Sequence, residues 1–293
     1  MHNNKVVNII GWIIAILSTA LYTLTQYPTI SFWDGAEFAT TSSTLQIPHP
    51  PGAPFFQLLG SIIPLTYLMP IFSGLSVMMF YHICVYALSR FSQMRPGIIA
   101  SSTIGALTFA VLDSQWFCAN ETDVYPLSLL LSLVAIYLTI KWTKTHRVNY
   151  LILTCLLLGL SLCVHQLTLL SLPAICLIIY FDKRKTTFKG AMLYLLLSLL
   201  LIFFIQFALP TFLIRIFSSH SIIKIIIFLF FIAFLIFISY KKSKPILLYL
   251  TLGLIFILIG LSTYIIIPIR ANSGVPINQY NPKDVKQFAN YYN

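Results

Sequence analysis

Two observations predict an all-α, polytopic membrane protein. Hydrophobic residues make up 58% of the chain and charged residues only 9%, where a soluble domain carries roughly 25% charged residues. The apolar residues also fall into runs of about 20, the length of a spanning helix, with none of the alternation of a membrane β-strand. Nine spans are expected: 6–25, 71–89, 97–112, 123–140, two short ones within 150–181, then 190–213, 221–238 and 247–267.

The first run has no cleavage-site pattern, so it is expected to be a retained span rather than a signal peptide. Residues 150–181 are too long for one ordinary crossing, and His165 and Gln166 near their middle divide them. Residues 55–68 are short, are broken by Pro64 and carry Gln57. A tenth span therefore competes with an amphipathic helix lying in the interface. Charge decides for the surface helix. With the amino terminus inside, Lys5, Arg90, Arg95, Lys141, Lys144, Arg147, Lys183, Arg184, Lys185, Lys189, Lys241, Lys242 and Lys244 all face in, most of the 18 Lys and Arg. A tenth crossing would turn these clusters outward, against the positive-inside tendency.

Every acid except Asp182 then faces out, with Arg215, Lys224, Arg270, Lys283 and Lys286. The expected layout is a transmembrane bundle over 1–270, with outer loops at about 26–70 and 113–122. A polar tail over 271–293 places the carboxyl terminus outside. The net charge of +11 reports this topology and implies no nucleic-acid partner. Cys84, Cys118, Cys155, Cys163 and Cys176 lack metal or paired-loop spacing and are expected to be small buried hydrophobes. No glycine-rich phosphate loop, zinc-protease helix or serine elbow occurs, so no nucleotide cofactor is expected.

The first outer loop holds Pro28-Thr-Ile-Ser-Phe-Trp-Asp-Gly-Ala-Glu-Phe38 and His49-Pro-Pro-Gly-Ala-Pro54. Asp34 and Glu37 share a face if a helix begins there, which permits either a capping box or a shared proton or cation. Phe32, Trp33 and Phe38 around them would desolvate a carboxylate toward general-base behaviour. His49 sits at a stiff turn, as either a donor to phosphate or sugar or a structural loop residue. Glu121 and Asp123 form a second acidic pair, with a plain solvated acidic loop as the alternative. The two pairs could together supply oxygen ligands to one divalent cation, Mg or Mn, or divide into a base and a cation holder, with Glu121 and Asp123 as the metal ligands. His165 lines a short span end, where a site role and a packing hydrogen bond compete. Arg270 follows Pro268 at the end of the last span, where phosphate recognition competes with snorkelling to headgroups.

These stretches, with Asn120-Glu-Thr-Asp-Val-Tyr125, Leu158-Gly-Leu-Ser-Leu-Cys-Val-His-Gln-Leu-Thr168 and Arg270-Ala-Asn-Ser-Gly-Val-Pro-Ile-Asn-Gln-Tyr-Asn-Pro282, resemble the bacterial membrane family catalogued as domain of unknown function 2723. That family is related to protein O-mannosyltransferase-like proteins and is grouped with the GT-C glycosyltransferases. The resemblance implies a GT-C-like bundle whose first outer loop carries surface helices. It also implies a polyprenyl-phosphate-linked sugar as donor, mannose being one candidate, and transfer to a protein or glycan hydroxyl outside a bacterial inner membrane. Asp34 falls on the catalytic-type acid, with Glu37 beside it, and Glu121 and Asp123 fall on the second-loop acidic motif. His49, His165 and Arg270 fall on outward-facing polar positions. The chain departs where relatives carry Cys-Gly (here Gly35-Ala36) and Asn-Glu (here Asn278-Gln279), and relatives continue into a large outer domain. A lipid-linked-sugar transporter or flippase, and a non-catalytic member of the same fold, are the alternatives.

Overall fold

A backbone without water around it must close its hydrogen bonds within the chain, and long apolar runs do this as helices. The structure, a computed structural model, describes residues 4–29, 33–182, 186–218 and 222–292. Among the described residues, five helices are long and apolar enough to cross a membrane: Lys5–Leu24, Leu65–Leu88, Tyr125–Thr145, Phe188–Ile214 and Pro245–Ala271. Arg95–Ala110 with Asp113–Asn120 makes a sixth if that pair, bent by 57°, is one span. Three shorter apolar helices, Asn149–Leu162, Gln166–Phe181 and Ile226–Lys241, lie at the remaining expected positions. The chain is a multi-helix, polytopic membrane protein.

It divides into two compact units, Met1–Leu45 with Phe55–Tyr137, and Gln46–Pro54 with Leu138–Asn293. In the first, α1 (Asn4–Leu24) packs on α4 (Leu65–Leu88), which also carries α5 (Arg95–Ala110) and α6 (Asp113–Asn120), while α2 (Gly35–Ser43) and α3 (Pro54–Ile62) precede α4. Its core joins Ile14, Tyr22, Val77, Tyr81, Ala106, Ala110 and Ala119. The Tyr22 hydroxyl donates to the Ala110 carbonyl at 2.8 Å. A Cβ on Gly74 would meet the Thr19 side chain and the Ala15 carbonyl, so this glycine lets α4 approach α1 closely.

Two local expectations change. Residues 55–68 do not form one segment: α3 ends at Ile62, Pro64 is extended (φ −50, ψ 132), and α4 starts at Leu65 with Pro70 inside it. Pro70 has no N–H, which orphans the carbonyl four residues back. That carbonyl, on Thr66, accepts instead from the Gln26 side-chain amide. The stretch expected to be the second outer loop is largely helical, as α6. Leu112 is extended (φ −64, ψ 136) and breaks the helix, and Asp113 then supplies an acid to the new first turn.

The second unit runs through the end of α7 (Tyr125–Thr145), α8 (Asn149–Leu162), a 3₁₀ turn at Gln166–Ser171, α9 (Leu172–Phe181), α10 (Phe188–Phe203), α11 (Leu209–Ser218), α12 (Ile222–Lys241), α13 (Pro245–Leu261), α14 (Ile266–Ala271) and α15 (Val285–Tyr292). Helices α8 and α13 meet backbone to backbone. A Cβ on Gly159 would strike the Ile257 main chain, and one on Gly260 the Leu160 nitrogen and Gly159. A π-turn at Phe204–Ala208 links α10 and α11, and its Gln206 amide donates to Gln166. Residues 271–292, expected as a polar outer tail, pack on the turn at 46–54 of the same unit. Ile47 pairs with Asn278 in a β-bridge, and the buried Tyr291 hydroxyl donates to the Pro48 carbonyl at 2.7 Å.

Candidate functional site

The acids expected in a site collect in the first unit, on α2 and on the turn between α6 and α7. Asp34 occupies the N-cap of α2, and the Phe38 amide donates to its carbonyl at 2.9 Å. Its side chain makes no capping bond, because its backbone is already helical (φ −73, ψ −9) rather than in the extended geometry of a capping residue. Asp34's half of the capping box therefore does not form. Asp34 is exposed and Glu37 half-buried, and each offers a carboxylate oxygen within 4.8 Å of the other's.

The aromatic setting sorts differently from expectation. Phe38 turns inward, packing edge-on against Phe56 with centroids 5.4 Å apart, while Trp33, at φ 62, is exposed. Phe32 lies outside the described residues. Phe38 and Phe56 seat α2 on α3, and the Gln57 amide donates to the Thr41 hydroxyl at 3.0 Å. Gln57 therefore stabilises a buried contact rather than a wet helix face.

The second acidic pair is the desolvated one: Glu121 is 5% exposed and Asp123 7%. Burial, and secondarily the Asp123 charge, pushes the Glu121 carboxyl above its ordinary value. Asp123 accepts from the Val124 amide at 2.6 Å. The Tyr125 hydroxyl lies in the field of both Asp123 and Asp34, so the two acidic segments face one region of this unit. Beside them is a cavity of about 260 Å³ bounded by the end of α1, Ala39 of α2, the start of α4 and residues 120 and 122.

Two carboxylate oxygens of one small, hard cation stand roughly 3–4 Å apart, for bonds of about 2.1 Å. The Asp34 and Glu37 oxygens are within a small side-chain rotation of that spacing, and this pair can hold a divalent cation. Glu121 and Asp123, the pair expected to hold a cation, are buried.

His49, His165 and Arg270 belong to the second unit. His49 is half-buried in a turn with a cis Pro50–Pro51 bond, and both the Pro48 and His49 carbonyls face Tyr291. His165 caps the 3₁₀ turn: its Nδ1 accepts from the Leu167 amide at 3.1 Å, and burial lowers its pKa. The ring is thus neutral at neutral pH, with its proton on Nε2. Arg270 is half-buried in the last turn of α14. Residue spacing gave no sign of Tyr125, Gln26 or Thr66 as site neighbours. One clue was legible, the carbonyl that Pro70 must orphan.

A family profile described as the protein O-mannosyl-transferase TMEM260 N-terminal domain matches residues 34–188, just over half of the 293-residue chain. The match starts on Asp34 and takes in Glu37, His49, Glu121, Asp123 and His165. The protein O-mannosyl-transferase TMEM260 of Mus musculus is 29% identical over 195 residues, which cover 63% of this chain and 27% of the mouse protein. The chain thus spans about a quarter of that curated relative. No solved structure matches.

Proposed function

The chain belongs to the TMEM260 N-terminal domain family of protein O-mannosyl-transferases, and we propose that it takes part in transfer of a sugar, mannose being the first candidate, from a polyprenyl-phosphate donor to an acceptor hydroxyl. The observation that supports this reading is that Asp34 and Asp123 both act electrostatically on Tyr125, in the unit that also holds the cavity. Asp34 is the acid an incoming acceptor can reach. The acceptor oxygen attacks the anomeric carbon, its proton passes to Asp34, and the bond to the lipid phosphate breaks to release polyprenyl phosphate.

The Asp34–Glu37 spacing supports a second role for this pair as ligands of a magnesium or manganese ion. Held by these carboxylates, such an ion would supply positive charge to offset that on a departing phosphate. Arg270 is proposed to hold the lipid phosphate through its fork of donors, with His49 and the Nε2–H of His165 as further donors. The acceptor is a protein Ser or Thr or a glycan. The reaction is placed on the non-cytoplasmic face of a bacterial inner membrane, with the amino terminus inside, on the strength of the inward basic clusters.

The test is reconstitution of the purified chain with labelled polyprenyl-phosphate sugars and acceptor extracts. Wild type should form product and Asp34→Asn should not, with folding checked by thermal unfolding. Equal transfer by both chains removes Asp34 as the base. Loss of transfer on chelation, restored by Mg or Mn, supports the cation, and indifference to chelators removes it. Impermeant labelling of Lys144→Cys from the inner side only is expected, and outer-side labelling overturns the orientation.

A further inference from the structure

The second unit gathers positive charge at one end of its helices. Helices α8 and α13 run parallel and in phase: a Cβ on Gly253 would meet Cys155, one on Gly260 would meet Leu160, and one on Gly159 would meet Ile257. Their first residues, Asn149 and Pro245, therefore lie at one level. The turn before each is basic, with Arg147 in one and Lys242 and Lys244 in the other. Helices α9 and α10 bring Lys189 to the same end. The Asp182 carboxylate, at the close of α9, lies 3.8 Å from His146 Nδ1. The Tyr180 hydroxyl donates to the Thr187 carbonyl at 2.9 Å, just ahead of Lys189.

Little at this end opposes that charge. Asp284, the other acid of the unit, precedes α15, whose Phe288 packs on Tyr264 beyond the far end of α13. Asp182 is thus the one acid at the basic end among the described residues. Neighbouring side chains set the depth of the cations. Tyr240 is 82% exposed and Phe188 80%, each beside a lysine in sequence, and Lys241 Nζ lies 5.7 Å over the Phe237 ring. The spans Phe188–Ile214 and Pro245–Ala271 begin here, and Tyr125–Thr145 ends here. Exposed aromatic rings at span ends mark the headgroup layer. These cations therefore stand at the level of lipid phosphates, where clustered Lys and Arg attract acidic lipids. A free anion would use the charge alone, whereas a lipid also covers the exposed rings with its chains.

We propose that this end of the second unit binds the phosphodiester headgroup of an acidic phospholipid between the turns at 146–148 and 242–244. The planar fork of Arg147 takes the phosphate oxygens, Lys242 and Lys244 add charge from the adjoining turn, and acyl chains lie along Phe188 and Tyr240. The assignment does not rest on the glycosyl-transfer reading, whose acids belong to the first unit.

Retention of radiolabelled lipid by the immobilised full chain in neutral detergent tests it, with dioleoyl phosphatidylglycerol as probe and dioleoyl phosphatidylcholine as reference. Phosphatidylglycerol should bind at least about tenfold more tightly, and the preference should shrink as sodium chloride rises from ~50 mM to ~500 mM. Arg147→Gln, Lys242→Gln and Lys244→Gln together should bring the two lipids within about twofold of each other. Lys283→Gln with Lys286→Gln, at the far end of the unit, should leave the preference intact. Thermal unfolding checks each chain. If the triple variant fails to fold, Lys242→Gln alone replaces it, with a loss of about threefold expected. Equal binding of the two lipids, a preference indifferent to salt, or one kept by the turn variants overturns the site. So does its loss in the far-end variant, or displacement by inorganic phosphate beyond that by chloride at equal ionic strength. The readout needs no sugar transfer, so an inactive chain that keeps the lipid preference sinks the transfer reading alone.

Discussion

The first unit buries charge beside a cavity, whereas the second packs backbone against backbone. In the first, Glu121 and Asp123 are almost wholly buried and a cavity of about 260 Å³ opens beside them. In the second, α8 and α13 meet at Gly159 and Gly260, and the tail is seated on a fully buried Tyr291. The difference is one of purpose. A group kept out of water at a cost in stability is best explained by chemistry, while small residues that let helices touch are the usual way to hold a membrane bundle together.

The largest test of this contrast is Asp34→Asn, which should lower transfer by at least ~100-fold while leaving the thermal unfolding midpoint near that of wild type. Full activity would erase the division of labour. The converse change is Gly260→Leu in the second unit. Its side chain would enter the Gly159 and Leu160 main chain, which cannot move aside, so a loss of about 3 kcal/mol or more is expected, read as a large fall in unfolding temperature. Gly11→Ala in the first unit sharpens the point, because its Cβ would meet side chains, Met78 at contact distance and, more closely, the ring end of His82. That side chain can rotate, and the change should cost under ~1 kcal/mol.

Tyr291→Phe should cost ~1 kcal/mol, because it removes the donor to the Pro48 carbonyl and leaves that oxygen unpaired. The effect should appear in unfolding and as faster hydrogen exchange around residues 46–54. Glu121→Gln should have the smallest effect and the most informative sign. Burial raises the Glu121 pKa above its ordinary 4.5, so the folded chain holds this proton where the unfolded chain has released it. Stability from this group is full at low pH and falls as pH rises from about 4.5 through the raised value. The glutamine variant should therefore gain on wild type in unfolding midpoints as pH rises above about 4.5, and the gain should level off once pH passes the raised value. A flat difference would mean that Glu121 feels no such burial.

The helical, membrane-spanning character of the chain was legible because it depends on composition and run length, which need no partner. Hence His165 and Gln166 did mark a break between two short helices. Details that depend on a distant residue were not legible. Asp34 looked like a capping residue because spacing is local, but the backbone at that position is helical and the side chain makes no capping bond. Residues 55–68 looked like one surface segment because the bond that lets α4 run through Pro70 comes from Gln26, far off in sequence. The acidic residues of the candidate site were visible as pairs in the sequence. That Glu121 and Asp123 would be the buried pair, and Asp34 the exposed acid, was not. Burial is set by what packs over a residue, and here that comes from other parts of the chain.

The contact made by Tyr291 constrains the loop in a particular way. Its hydroxyl engages the carbonyls of Pro48 and His49, which every amino acid possesses, and its ring fills the space that a Cβ on Gly52 would need. The clasp thus recognises the path of the main chain and is blind to the identity of residue 49. Gly52, by contrast, is locked, because a side chain there would meet the Tyr291 hydroxyl and the Ile267 side chain and would have to adopt a positive φ. The turn is thereby fixed from two sides at once, by hydrogen bonds to its main chain and by the want of room at its glycine.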